Sequence, residues 1–264
     1  MNLWHLTFST RGRQVIFTSE AGVLEGVRAL ARAAGERVVL FSIVDDHVHT
    51  VVRSNEPGSL TPGLLRALRA VAEAELDPAH RRAVTNRRHL EWLASHYIME
   101  QPGKHGLPTH PALWTGSCFL DLLGARRIEG LALQLPRVLP RFRLRQAFQA
   151  VGLEARPLVP MAVDELRAVG AHRVVRAAAA AVGMPEARSR GRLARTARLA
   201  AATLCREAGV ASVELAAVLG YRTSSVCKLM RQPSDPAIVR ATLLRLALEE
   251  RIGHAAPNHD HADA

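Results

Sequence analysis

Two β-prone runs separated by a pair of acidic residues constrain this chain more than any other feature. Arg37 to Val44 (RVVLFSIV) is apolar almost throughout, and His47 to Arg53 (HVHTVVR) alternates, with Asp45-Asp46 as the turn between them. A connection this short joins antiparallel neighbours only, because parallel strands need a crossover of about a dozen residues. An antiparallel sheet is therefore required, and the unbroken apolar character of the first run suits a central strand.

The flanking segments extend the pattern. Trp4 to Phe8 alternates as a half-buried strand does. Ser19 can cap a helix through about Ala34 that shows Val23, Leu24, Val27, Leu30 and Ala31 on one face. Thr61 to Leu76 has the same periodicity, Arg82 to Thr85 suits a short fourth strand, and Asn86 can cap a helix from Arg87 to Gln101. The order β-α-β-β-α-β predicts a ferredoxin-like antiparallel sheet with helices on one face.

Composition bears on the rest of the chain and on its partners. The 264 residues carry 35 Lys plus Arg against 24 Asp plus Glu, a formal +11, which favours an anionic partner and nucleic acid first. Residues 1–120 contribute 13 basic and 11 acidic groups, 121–200 contribute 15 and 6, and 201–264 contribute 7 and 7, so the excess lies in the middle. With no apolar run of about 20 residues and no signal-like start, the chain reads as cytoplasmic with no membrane partner. Cys118, Cys205 and Cys227 are widely spaced and form neither a disulfide framework nor a thiolate metal motif. The break GKHGLPTHP at Gly103 to Pro111 and the prolines 136, 140, 157 and 160 divide the chain further. The expected domains are an α+β unit over 1–112, an arginine-rich helical connector over 113–190, an all-α unit over 191–252 and a disordered tail over 253–264.

Chemistry concentrates at two points. Side chains i and i+2 of a strand share a face, so His47 and His49 present two imidazoles side by side, either as a metal grip or as a structural pair. Tyr97 and Gln101 are four apart on the last helix and share its face, over the histidines. Tyr97 reads either as a packing aromatic or as a nucleophile; the only other tyrosine is Tyr221.

Together these residues resemble a known family. Asp45 to Val52 is similar to the His-hydrophobic-His strand of the insertion-sequence 200-like, single-tyrosine HUH transposases. His96 to Pro102 (HYIMEQP) is similar to their nucleophile helix, and Leu6 to Arg13 with Phe17 to their first strand and loop. The likeness covers residues 1–110, and the REP-associated tyrosine transposases look closest. It implies that His47, His49 and Gln101 hold Mg²⁺ or Mn²⁺, and that Tyr97 attacks a phosphodiester of single-stranded DNA beside a hairpin, leaving a 5′-phosphotyrosine. It also implies DNA contact by Arg11 and Arg13, and a homodimer. Asp45-Asp46 and Thr50 depart from the family's usual lead-in and leucine, at positions that are not proposed ligands.

In the last third, Leu193 to Arg206 reads as a helix, Ser212 can cap Val213 to Leu219, Gly220 ends that helix, and Thr223 or Ser224 can cap another through Arg231. Leu215 to Val226 resembles the helix-turn-helix that ends the replication initiator DnaA. That likeness implies contact of Arg222, Thr223, Ser224, Ser225, Lys228 and Arg231 with duplex DNA; the plain alternative is a helical bundle for oligomer contact. Arg126, Arg127, Arg137, Arg141, Arg143 and Arg145, then Arg188, Arg190, Arg192, Arg195 and Arg198, form basic clusters that read as a phosphate-tracking surface or an ordinary solvated face. Two functions compete: a metal-dependent DNA transesterase, and a non-catalytic DNA-binding regulator that uses the helix-turn-helix.

Overall fold

The computed structural model describes residues 2–255. The fold is α+β, and the chain divides into two compact units, residues 1–157 with 182–185 and residues 158–181 with 186–264. No described helix is long and apolar enough to cross a membrane.

The first unit contains a four-stranded antiparallel sheet of β1 (Leu3–Ser9), β2 (Val38–Ile43), β3 (His47–Arg53) and β4 (His80–Ala83), in the order β2-β3-β1-β4. Helix α1 (Glu20–Ala34) joins β1 to β2, and α2 (Pro57–Arg69) joins β3 to β4. Ser19 caps α1 as expected, its Oγ accepting the Gly22 N–H at 3.1 Å. α2 begins earlier than the apolar pattern predicts, because Pro57 supplies a pre-set first helical residue. It also ends earlier, and Leu76 instead bridges Thr10. β4 lies two residues ahead of its expected place.

Leu6, Phe8, Phe41, Ile43, Val48 and Val52 pack with Val27 and Leu30 of α1 and Leu64 and Leu68 of α2 in the core on one side of the sheet. On the other side the chain runs through α3 (Arg87–Trp92), a π-helical stretch over Leu93–Ile98, and α4 (Gln101–Lys104). Asn86 caps α3 by accepting the His89 N–H at 2.9 Å. The single helix expected over Arg87 to Gln101 is thus interrupted: the wider π turn carries Tyr97, and α4 restarts at Gln101.

β2 is an edge strand rather than a central one, and it is nevertheless buried over its whole length. Its open edge is sealed by later chain. Ile43 N–H donates to Gly116 O at 2.8 Å, Cys118 N–H to Phe41 O at 3.2 Å and Gln134 N–H to Val38 O at 2.8 Å. Helices α5 (Phe119–Leu123), α6 (Leu135–Val138) and α7 (Leu144–Ala150) belong to the same unit. Residues 113–157 therefore complete the first unit, and the stretch expected as one connector is divided between the two units because Phe119, Leu120, Leu135 and Phe148 are core residues. The arginine clusters divide as well. Arg126 is buried, bonded to Asp121, Thr115 O and Ser117 O, while Arg127, Arg137, Arg141, Arg143 and Arg145 are exposed.

The second unit is all helical: α8 (Leu166–Val169), α9 (Ala171–Ala181), α10 (Arg192–Glu207), α11 (Ser212–Leu219), α12 (Thr223–Met230) and α13 (Pro236–Ala255). α10 presents Ala194, Ala197, Ala200 and Ala201 to its interior, small side chains that let helix backbones approach closely. Gly220 ends α11 in the left-handed conformation at φ 68°. Neither Ser212 nor Thr223 nor Ser224 caps a helix; the cap positions are Ala211 and Arg222, without side-chain bonds. Arg198 is buried against Ala187 O and Ser189 O, whereas Arg188, Arg190, Arg192 and Arg195 are exposed. Of the tail expected over 253–264, residues 253–255 continue α13 and the rest lie outside the described residues.

Candidate metal and nucleophile site

The pairing of β1 with β3 sets Thr7 opposite His49 and Ser9 opposite His47. Alternation then gathers His5, Thr7, His47 and His49 on the face over which the π-helical stretch lies. The His47 and His49 rings are 4.5 Å apart between centroids, and both are buried.

The two nitrogens of His47 have different partners. Nδ1 is 2.5 Å from Asp46 Oδ1, and Nε2 is 3.2 Å from Gln101 Oε1. Burial lowers the proton affinity of the ring below its ordinary value, against the pull of the Asp46 carboxylate. Burial also works against the Asp46 charge, but the His47 hydrogen bond and the nearby His47, His105 and Arg13 outweigh it and hold the carboxyl below its usual range. The Asp46 carboxylate favours the tautomer with the proton on Nδ1, which leaves Nε2 as the acceptor nitrogen. Gln101 donates Nε2–H to Tyr97 O at 3.0 Å, which turns its Oε1 toward His47. His47 Nε2 and Gln101 Oε1 thus lie at hydrogen-bond distance, 3.2 Å, with the donor set by the ring tautomer. In the tautomer with the proton on Nδ1 both atoms offer a lone pair, and their spacing matches the roughly 3 Å between adjacent ligands of a cation with bonds of about 2.1 Å.

His49 lies beside this pair. Its Nδ1 lies 3.1 Å from Thr7 Oγ1 and 3.2 Å from His5 Nε2, leaving Nε2 available. Burial, with His47 and His5 close by, drives its pKa down to about 2. His5 is lowered to about 4 by burial, then by His89 and Arg82. Both rings are neutral near pH 7, the form that binds metal.

Tyr97 stands over this face. Its ring meets His49 edge-on at 5.0 Å and His5 at 5.8 Å, stacks on Trp92 at 5.3 Å, and has Lys104 Nζ 6.0 Å from its centroid. Its hydroxyl makes no hydrogen bond among the described residues, and the side chain is half-buried.

A second donor group adjoins the first. Asp46, His47 and His105 have ligand atoms within 4.8 Å of one another and form a cluster compatible with a divalent metal. His105 Nδ1 is 3.3 Å from Asp45 Oδ1 and 3.7 Å from Asp46 Oδ1. The 2.5 Å approach of Asp46 to His47 is a hydrogen-bond distance, shorter than two ligands of one ion keep, so Asp46 orients His47 rather than sharing an ion with its Nδ1.

The sequence-derived residues His47, His49, Tyr97 and Gln101 are thus brought together, with Arg13 at the rim. Arg13 adopts φ 58° and extends Nη1 to 3.4 Å from Asp46 Oδ2 and 3.1 Å from His47 Nδ1. The guanidinium thus reaches both the Asp46 carboxylate and the His47 ring. Arg11 is exposed in the same loop and does not reach the histidines. Arg222, Thr223, Ser224, Ser225, Lys228 and Arg231 belong to the second unit, all exposed at the start and along one side of α12, with Val226 and Met230 buried. Tyr221 is exposed, with the Arg198 guanidinium 5.7 Å over its ring.

Asp46, His5, Thr7, Trp92, Lys104 and His105 escaped the sequence reading. The alternation of β1 held a signal for two of them, since His5 and Thr7 occupy its polar positions; the others depend on the turn and helix geometry. Comparison of the chain with family models, with curated proteins and with solved structures finds no match.

Proposed function

We propose that the first unit is a ferredoxin-like, HUH-type catalytic domain that cleaves and rejoins single-stranded DNA beside hairpins through a tyrosine nucleophile. The observation that carries the reading is the convergence of Tyr97, His49, His47 and Gln101 on one sheet face, with Gln101 Oε1 3.2 Å from His47 Nε2. The β-α-β-β-α-β order and the β2-β3-β1-β4 arrangement support the fold assignment.

In this reading His47 Nε2, His49 Nε2 and Gln101 Oε1 hold the cation. When bound, Mg²⁺ or Mn²⁺ supplies Lewis-acid polarisation of the scissile phosphodiester. Asp46 keeps the His47 proton on Nδ1, and Thr7 and His5 fix the His49 ring. Tyr97 Oη attacks phosphorus: a phenolic O–P bond forms, the P–O3′ bond breaks, and the phenol proton is lost as the 3′ oxygen gains one. The product is a 5′-phosphotyrosine and a free 3′-OH. One phosphodiester replaces another, so rejoining is the reverse step and needs no nucleotide cofactor. Gln101 is a neutral ligand, which predicts modest metal affinity.

The second unit reads as a helix-turn-helix that engages duplex DNA through α12. A non-catalytic regulator is the competing reading, supported by the six exposed polar and basic residues on that helix and at its two ends. A hairpin-bearing single strand with Mn²⁺ separates the two. The transesterase gives a covalent protein–DNA adduct that is lost in Tyr97→Phe and in EDTA; the regulator gives none and binds duplex DNA unchanged in His47→Ala.

A further inference from the structure

The first unit carries a cationic edge and an exposed indole beside Tyr97 that the proposed chemistry leaves unused. Trp92 is 48% exposed although it is the last residue of α3 and adjoins the buried Leu93. Its ring lies nearly parallel to that of Tyr97, 22° between planes, so one indole face is engaged. Arg88 and His89 precede Trp92 by four and three residues and share its side of the helix.

The adjacent sheet edge has matching charge. β4 is the outer strand, and all four of its residues are exposed. His80 stands opposite Thr7 and Arg82 opposite His5, so both project from the face that holds His47 and His49. No acidic residue occurs between Asp77 and Glu91. Arg82 and Arg88 make no ion pair among the described residues. A solvated arginine needs no partner, but an exposed indole stacked on the candidate nucleophile and bordered by uncompensated cations forms a platform for a flat anionic polymer.

We infer that Trp92 is a base-stacking subsite for single-stranded DNA, with Arg82, Arg88 and His80 tracking the phosphates that lead to Tyr97. The ligand class is a single strand because only an unpaired base offers a free face to the indole, and because stacking tolerates any base. A base held on Trp92 fixes the neighbouring phosphate relative to the Tyr97 hydroxyl. Trp92 is thus a positioning residue. The inference rests on the transesterase reading for its link to cleavage, while the stacking itself needs neither metal nor chemistry.

The test measures binding of the full-length protein to a fluorescent single-stranded oligonucleotide in EDTA, for wild type, Trp92→Ala and Trp92→Phe. Stacking predicts a loss of roughly 5- to 150-fold in Trp92→Ala, with most of the affinity kept by Phe, whose ring still stacks on both base and Tyr97. Oligonucleotides with a single abasic site moved along the strand should show one position that weakens wild type by a similar factor and Trp92→Ala by little more. Equal affinity of wild type and Trp92→Ala, or an abasic penalty that persists in full in the variant, overturns the subsite. Adduct formation is scored separately. A Tyr97-dependent adduct with Trp92-independent binding removes the subsite and keeps the transesterase, whereas Trp92-dependent binding without any adduct does the reverse.

Discussion

Asp46→Asn isolates the device that prepares His47. In the native site the carboxylate lies 2.5 Å from Nδ1 and favours a proton there, and in that tautomer Nε2 meets Gln101 Oε1, 3.2 Å away, as a lone pair. An asparagine amide can donate to Nδ1 instead. The ring then carries its proton on Nε2 and donates it to Gln101 Oε1, and the bonds of His47 and Gln101 are satisfied without a cation. A metal ion must now displace that proton. Loss of such an orienting partner weakens metal binding by about 10- to 100-fold, equal to about 1.4 to 2.8 kcal/mol. Removing a negative charge also weakens cation binding, so the matched variant is Asp45→Asn, which takes the same charge from the same turn and leaves the Asp46–His47 bond in place. Its loss should stay within about threefold, since Asp45 is more exposed and screened. Titration with Mn²⁺ at pH 7.5, followed by calorimetry or by the resonance of free Mn²⁺, measures all three proteins. Native affinity in Asp46→Asn, or equal losses in both variants, would refute the proton-placement argument.

Three further outcomes follow from the packing. Arg126→Met leaves the buried Asp121 and the Thr115 and Ser117 carbonyls without their partner, so urea unfolding should show a loss of about 3–5 kcal/mol; an unchanged midpoint contradicts the buried pair. Gly116→Ala drives a methyl into Ile43 O and the Trp114 indole where the chain seals β2, and should cost about 1–3 kcal/mol or more, whereas Gly63→Ala meets open space and should cost little. Acid should destabilise the metal-free protein early. His5 and His49 are neutral in the fold, with pKa values held by burial at about 4 and about 2. The unfolded chain protonates both near pH 6.5, so it binds more protons as the pH falls from there toward 4. Stability then declines by up to about 1.4 kcal/mol per pH unit for each histidine, and equal melting temperatures at pH 7 and pH 5 in EDTA would contradict their burial as neutral rings.

Local pattern carried much of the fold. The alternation of β3 and its two-residue turn set the hairpin, and Ser19 and Asn86 act as helix caps through bonds that their sequence positions foretell. Long-range packing decided the rest. A continuous apolar run looks alike whether strands lie on both sides or later chain covers one edge, and β2 is the second case because residues 116–118 and 134 return to it. At the site, the two histidines were legible from strand periodicity. Gln101 and Tyr97 do converge on them, though not through the uninterrupted helix that a spacing of four implies. The π stretch between Leu93 and Ile98 changes that register, and no residue within it marks the change. Asp46 and His105 offer only an acidic turn and a glycine-flanked histidine until the fold brings them to His47.

Identifying the residue that carries DNA after reaction tests the proposed chemistry most directly. A hairpin single strand is incubated with the protein and Mn²⁺, the adduct is digested with protease and nuclease, and the modified peptide is sequenced by mass spectrometry. The proposal predicts one modification, a 5′-linked nucleotide on Tyr97. A nucleotide on Tyr221, the other tyrosine of the chain, or a cleaved strand with no covalent peptide would contradict it.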